Sequence, residues 1–156
     1  AIMPDASVLA NLVLAGLGGL STAGVRRRRR ELAAYHGQAA GLDIRAAGPH
    51  QPAGQLSGGN QQKLILGRML HRSPAVLLLD EPTRGIDVRT KQAIRELVVR
   101  TAATAGVIVV TSELDELIAI ADRLLVLREG RLVAELPAAG VDERTILRHC
   151  YGGSPA

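Results

Sequence analysis

Two short stretches hold the residues that could do chemistry. The first is Leu56-Ser57-Gly58-Gly59-Asn60-Gln61-Gln62-Lys63. Ser57 is a residue type that caps a helix. Gly58 and Gly59 lack side chains, so the backbone N–H groups there can approach a ligand closely. A helix that begins at this point favours an anion at its N-terminus. The stretch therefore implies a phosphate contact, although a Ser-capped helix after a glycine turn would read the same way. The second stretch is Val76-Leu77-Leu78-Leu79-Asp80-Glu81. Here an aliphatic run delivers two carboxylates at its end, where open α/β sheets place ligands. Asp80 is suited to holding Mg²⁺ through its water shell. Glu81 is suited to drawing a proton from an attacking water, a role worth about 10² to 10⁴ in rate.

The elements needed to position these groups are legible around them. Residues 8–17 read as a short helix broken by Gly16, Gly18 and Gly19, and residues 26–40 as a second helix with Leu32 and Tyr35 on one face. Residues 41–55, rich in Gly and Pro, read as loop. Residues 59–70 form a third helix, with Leu64, Ile65, Met69 and Leu70 as its apolar contacts. Residues 75–79 are a continuous apolar run, as in a strand buried on both faces. Residues 88–103 are helical, with Ile94, Leu97 and Val98 at core spacing. Residues 107–110 are a second buried strand and residues 112–121 a further helix, in which Ser112 and Asp115 have the spacing of a capping box. Residues 123–127 and 132–136 flank Arg128-Glu129-Gly130-Arg131 as a hairpin, and residues 141–150 form a last helix. Strand, helix, strand, helix and hairpin make an α/β layout. The division expected is a helical region over residues 1–72 and an α/β core over residues 73–156.

Composition narrows the class. Of 156 residues, 47% are hydrophobic, which excludes a disordered chain. Tyr35 and Tyr151 are the only aromatic residues, which disfavours the stacking platforms that bind single-stranded nucleic acid. The net charge of +4 owes much to the run Arg26 to Arg30, read here as a solvated basic helix start. Cys150 is the single cysteine, so no intramolecular disulfide forms. The histidines have no metal-site spacing. The longest apolar stretch, residues 8–20, is interrupted by Asn11 and is too short to span a bilayer.

The two stretches, in this order and followed by Pro82-Thr83-Arg84-Gly85-Ile86-Asp87, closely resemble the ABC ATPase family: its signature motif, its Walker B strand and its D-loop. The resemblance implies an incomplete P-loop NTPase fold, with a parallel sheet core and a small helical subdomain. It also implies ATP and Mg²⁺ as cofactors, with ATP held between two cassettes. Ser57, Gly58, Gly59 and Asn60 would meet nucleotide carried by a partner cassette. Asp80 would serve Mg²⁺ through water, Glu81 would be the catalytic base, and Asp87 would link the two sites. Leu-Ser-Gly-Gly-Asn-Gln-Gln-Lys with Asp-Glu-Pro-Thr-Arg-Gly-Ile-Asp looks like the second half of the tandem ATPases of ribose-, xylose- and galactose-type importers. The implied partners are a second ABC ATPase domain, membrane permease subunits and, indirectly, a sugar-binding protein. The implied location is the cytoplasmic face of the cell membrane.

Two departures qualify this. Ser112 stands where many ABC ATPases have a switch histidine; its hydroxyl can donate to a γ-phosphate but cannot carry an imidazole's charge. No Gly-x-x-x-x-Gly-Lys-Ser/Thr occurs, and residues 16–22 imitate it without the lysine. The expectation is that the P-loop lies before Ala1 and that this chain alone binds ATP weakly and folds marginally. Lys63 has two readings, a phosphate contact or a solvated face. Other functions remain open: a non-catalytic interaction module, or an ABC ATPase acting on DNA or ribosomes. The latter is disfavoured because no long coiled-coil insertion lies near the signature.

Overall fold

The computed structural model describes residues 1–22 and 25–152. They form two compact units: residues 1–78 with 82–108, and residues 79–81 with the segment from Val109 onward.

The first unit is built around a short helix, α1 (Val8–Val13). Ser7 caps it, its hydroxyl accepting from the Ala10 N–H at 3.1 Å. Val8, Leu9, Leu12 and Val13 are buried with Tyr35, Ile44, Leu56 and Leu64 in one apolar core. Asn11, an interruption in the apolar pattern, is 1% exposed. Its side chain is satisfied by backbone: Oδ1 accepts from the Met3 N–H at 2.8 Å, and Nδ2 donates to the Met3 carbonyl at 2.9 Å. A buried amide so bonded pins the N-terminal segment onto the helix instead of destabilising it.

Beyond α1 the chain does not stop at its glycines. It continues through a 3₁₀ turn (Leu14–Gly16) into α2 (Leu17–Leu20), then β1 (Ser21–Thr22), which pairs antiparallel with β2 (Val25–Arg26). The next helix, α3 (Arg28–Gly41), therefore begins two residues later than the charge run suggests. Arg26 sits in β2, and its guanidinium makes a two-point ion pair with the buried Glu31 at 2.7 and 2.9 Å. A 3₁₀ turn (Ala53–Gln55) leads into α4 (Gly58–Leu70). The buried side of α4 is Lys63, Leu64, Leu66 and Gly67. Met69, expected as a core contact, is 40% exposed. The reason is close packing at Gly67, where an added Cβ would come within 2.7 Å of Leu42. That approach selects which stripe of the helix faces inward.

The strand β3 (Val76–Asp80) is followed by α5 (Val88–Ala102) and β4 (Gly106–Val110). The two strands pair in parallel. The Gly106 N–H donates to the Ala75 carbonyl at 2.9 Å, and the Glu81 N–H to the Val110 carbonyl at 2.8 Å. The expectation that residues 75–79 and 107–110 are buried on both faces does not hold. Leu77 and Leu79 are buried, whereas Val76, Leu78, Ile108 and Val110 are 53% to 63% exposed. Strand side chains alternate between faces, and among the described residues only one face of this pair is covered.

The second unit centres on a hairpin, after the short helix α6 (Leu114–Ile120). β5 (Arg123–Arg128) and β6 (Arg131–Pro137) pair antiparallel, with Arg128 opposite Arg131. Glu129 and Gly130 both have positive φ, 52° and 74°, as a two-residue hairpin turn that matches strand twist requires. The last helix, α7 (Glu143–Tyr151), is capped by Asp142, whose Oδ1 accepts from the Thr145 N–H at 2.9 Å. Leu124, Val126, Ala138 and Ile146 form this unit's core. No described helix is long and apolar enough to cross a membrane.

Candidate functional site

In the first unit the serine–glycine stretch forms the tip of α4. Ser57 is the N-cap, exposed, with φ −59° and ψ 153°. Its hydroxyl accepts from the Asn60 N–H at 3.4 Å and from Asn60 Nδ2 at 3.0 Å. A cap of this type stabilises a helix by about 1 kcal/mol. The two glycines differ. A Cβ built on Gly58 meets nothing within 4 Å, so that position faces open space. A Cβ on Gly59 would lie 2.7 Å from Thr90 Oγ1 and 2.8 Å from Thr90 Cγ2, so Gly59 is required by packing against α5.

Asp87 is the N-cap of α5. Its Oδ1 accepts from the Thr90 N–H at 3.0 Å and its Oδ2 from the Thr90 hydroxyl at 2.8 Å. These two bonds hold the Asp87 carboxyl below its ordinary pKa. Thr90 thus stands between Gly59 and Asp87 and ties the tip of α4 to the turn before α5. A second tie is the bond from Gln62 Nε2 to the Pro82 carbonyl at 2.8 Å. Neither Thr90 nor Gln62 is singled out by sequence reasoning; a hydroxyl three residues after an aspartate N-cap was the available signal for Thr90.

Lys63 belongs to neither of its expected settings. It is 9% exposed, and its Nζ donates to the Asp43 carbonyl at 2.9 Å with the Asp43 carboxylate 3.5 Å away. Burial with two oxygen partners makes it an anchor for the loop after α3.

In the second unit Asp80, Glu81 and Ser112 come together at the ends of β3 and β4. Asp80 is the last residue of β3, with an exposed side chain. Glu81 follows at φ 46°, a left-handed backbone that re-aims the chain as the strand ends. Its Oε1 accepts from the Ser112 N–H at 3.0 Å, and its Oε2 from the Thr111 hydroxyl at 3.4 Å. The Thr111 hydroxyl in turn accepts from the Glu113 N–H at 3.1 Å. Ser112 is therefore not the cap of α6. Glu113 occupies that position without a side-chain cap bond, because the Ser112 N–H is committed to Glu81 and keeps the chain extended one residue longer.

The chemistry available follows from these positions. Asp80 offers an exposed hard oxygen donor, which suits Mg²⁺ held through water. Glu81 presents a carboxylate fixed by two donors at a strand end. Ser57 and Gly58 present a helix tip with open space for an anion.

Against known proteins, the solved structures define the fold. A dimeric ATP-binding cassette in a post-hydrolysis state bound to ADP and Pi superposes with a TM-score of 0.74 over 90% of this chain and 60% of that one, at 23% identity. The ADP conformation of an ATP-binding cassette of an ABC transporter gives 0.68 over 97% and 65%, at 22% identity. The fold is thus α/β and that of part of an ABC cassette. The ABC transporter family matches residues 2–84. The ribose import ATP-binding protein of Roseobacter denitrificans is 41% identical over 150 residues, 96% of this chain and 29% of that protein. The xylose import ATP-binding protein of Paraburkholderia xenovorans is 43% identical over 147 residues, 94% and 28%. This chain belongs to the ABC transporter family. It spans about three-tenths of the length of the curated relatives it matches.

Proposed function

We propose that this chain is part of the ATP-hydrolysing subunit of an ABC-type importer of monosaccharides in the ribose and xylose class, acting at the cytoplasmic face of the membrane. The names of its relatives support the substrate class. The geometry supports the chemistry, and one observation carries it: Glu81 directly follows β3, with its carboxylate held by the Ser112 N–H at 3.0 Å.

In this reading residues 1–72 are a helical arm that presents the tip of α4, and residues 73–156 contribute to the hydrolytic core. Ser57 donates its hydroxyl proton, and Gly58 and Gly59 their N–H groups, to phosphate oxygens carried by a second cassette. Asn60 supports that tip, and Asp87 couples it to the turn before α5. Asp80 would hold Mg²⁺, through its water shell, at the end of β3. Mg²⁺ bound with ATP supplies neutralisation of phosphate charge. Glu81 takes a proton from the attacking water at a carboxylate oxygen, and the Thr111 hydroxyl and Ser112 N–H keep that carboxylate in place. The Ser112 hydroxyl is a donor to the γ-phosphate where many relatives of the fold have an imidazole. Membrane permease subunits and, through them, a sugar-binding protein are the partners.

These 156 residues contain no Gly-x-x-x-x-Gly-Lys-Ser/Thr. The chain by itself then binds ATP weakly, and the full site needs phosphate-holding groups from elsewhere in the assembly. The test is hydrolysis of MgATP by the ATPase assembly that carries this chain. Glu81→Gln is expected to abolish hydrolysis while leaving ATP-dependent pairing of cassettes intact. Equal rates with Glu and Gln at this position would reject Glu81 as the base.

A further inference from the structure

We propose that Asn60 is a positioning residue that aims the Ser57 hydroxyl proton outward from the tip of α4, and that the loop at Asp43–Arg45 locks it in that orientation. The proposal rests on the reading that Ser57 meets a phosphate oxygen.

The argument is one of donors and acceptors. A backbone N–H can only donate. The Arg45 N–H lies 2.9 Å from Asn60 Oδ1, so the oxygen end of the Asn60 amide faces the loop. The nitrogen end must then face Ser57, and Nδ2 lies 3.0 Å from its Oγ. The Asn60 N–H reaches the same Oγ at 3.4 Å. A hydroxyl has two lone pairs and one proton. With both lone pairs engaged from the helix side, the proton is the bonding capacity that remains, and Ser57 is exposed. A hydroxyl held in this state is a directed donor to an anion, and hydrogen bonds to charged oxygens are roughly twice as strong as neutral ones.

The loop that sets the Asn60 amide is itself anchored on α4 and the core. Lys63 Nζ holds the Asp43 carbonyl at 2.9 Å. Ile44 is buried in the core of the first unit. Asp43 takes φ 48°, which turns the chain so that the Arg45 N–H points back at α4. Lys63 and Arg45 hold the Asp43 carboxyl below its ordinary pKa, so it stays ionised beside them. Position 60 therefore needs a side chain with an acceptor and a donor one methylene from the backbone. A glutamine carries its amide one carbon further and cannot make both bonds from the same place.

The experiment uses the ATPase assembly carrying this chain and reads kcat/KM for MgATP together with amide exchange at Arg45. Ser57→Ala and the near-isosteric Asn60→Leu are each expected to lower kcat/KM about tenfold. The double variant is expected to be no worse than the more impaired single, because Asn60 acts through Ser57. Asn60→Leu also exposes the Arg45 N–H to exchange, whereas Ser57→Ala leaves it protected. Asn60→Asp keeps an acceptor for Arg45, so protection persists, but a carboxylate captures the Ser57 proton and activity falls at least as far as in Asn60→Leu. Losses that multiply in the double variant, or wild-type activity in Asn60→Asp, overturn this proposal alone. Full activity in Ser57→Ala overturns the phosphate reading and this proposal with it.

Discussion

Gly59 and Thr90 touch so closely that any side chain at position 59 would force Thr90 to move: a methyl there would lie 2.7 Å from the Thr90 hydroxyl and 2.8 Å from its methyl. The glycine of the α4 tip is thus fixed by α5, and Thr90 also binds Asp87 through both its N–H and its hydroxyl. A residue that sequence reasoning assigns to ligand approach is set equally by packing.

Gly59→Ala is expected to destabilise the fold by about 1 to 3 kcal/mol, the usual cost of overpacking. Gly58→Ala, which meets open space, is expected to cost far less. Thermal unfolding measures both. Adding Thr90→Ala to Gly59→Ala should recover part of the loss; no recovery would place the strain elsewhere.

At the strand end, Thr111→Val removes the hydroxyl that donates to Glu81 and leaves the Glu113 N–H without that acceptor. The rate of ATP hydrolysis by the assembly is expected to fall about three- to tenfold, as for one hydrogen bond. The fall should be much smaller than for Glu81→Gln. A Thr111→Val variant as inactive as Glu81→Gln would mean that Thr111 meets the reacting groups directly.

The Arg26–Glu31 pair predicts a pH dependence. The hydrogen bond from Arg26 is the largest influence that lowers the Glu31 pKa from its ordinary 4.5, against the opposing effect of burial. A depressed folded-state pKa gives stability that is complete above the unfolded value and is lost as pH falls through the folded value. Wild type should melt higher than Glu31→Gln at neutral pH, and the gap should close below about pH 4. A gap unchanged in acid would show that Glu31 contributes through shape and not charge.

The open face of β3 and β4 carries Val76, Leu78, Ile108 and Val110. Apolar strand surface left uncovered favours association between molecules. The 156-residue chain by itself is expected to self-associate, and Leu78→Lys to reduce that association, as read by light scattering against protein concentration. A wild-type chain that stays monomeric and melts reversibly would show that this face needs no cover.

Local features were legible in the sequence because their causes lie within a few residues. Ser57 and Asp87 cap helices through bonds to the N–H three positions on, the hairpin turns where Glu129-Gly130 adopts positive φ, and the aliphatic run of β3 ends in Asp80 and Glu81. Those signals survive any tertiary setting. Tertiary structure alone decided the rest: that Lys63 is buried on Asp43, that Met69 yields its inward place to Leu66, that one face of β3 is open, and that the Ser112 N–H serves Glu81 instead of a helix cap. Each depends on a partner 20 or more residues away along the chain, or on whether a second layer covers a face. Pattern within a segment carries no record of either.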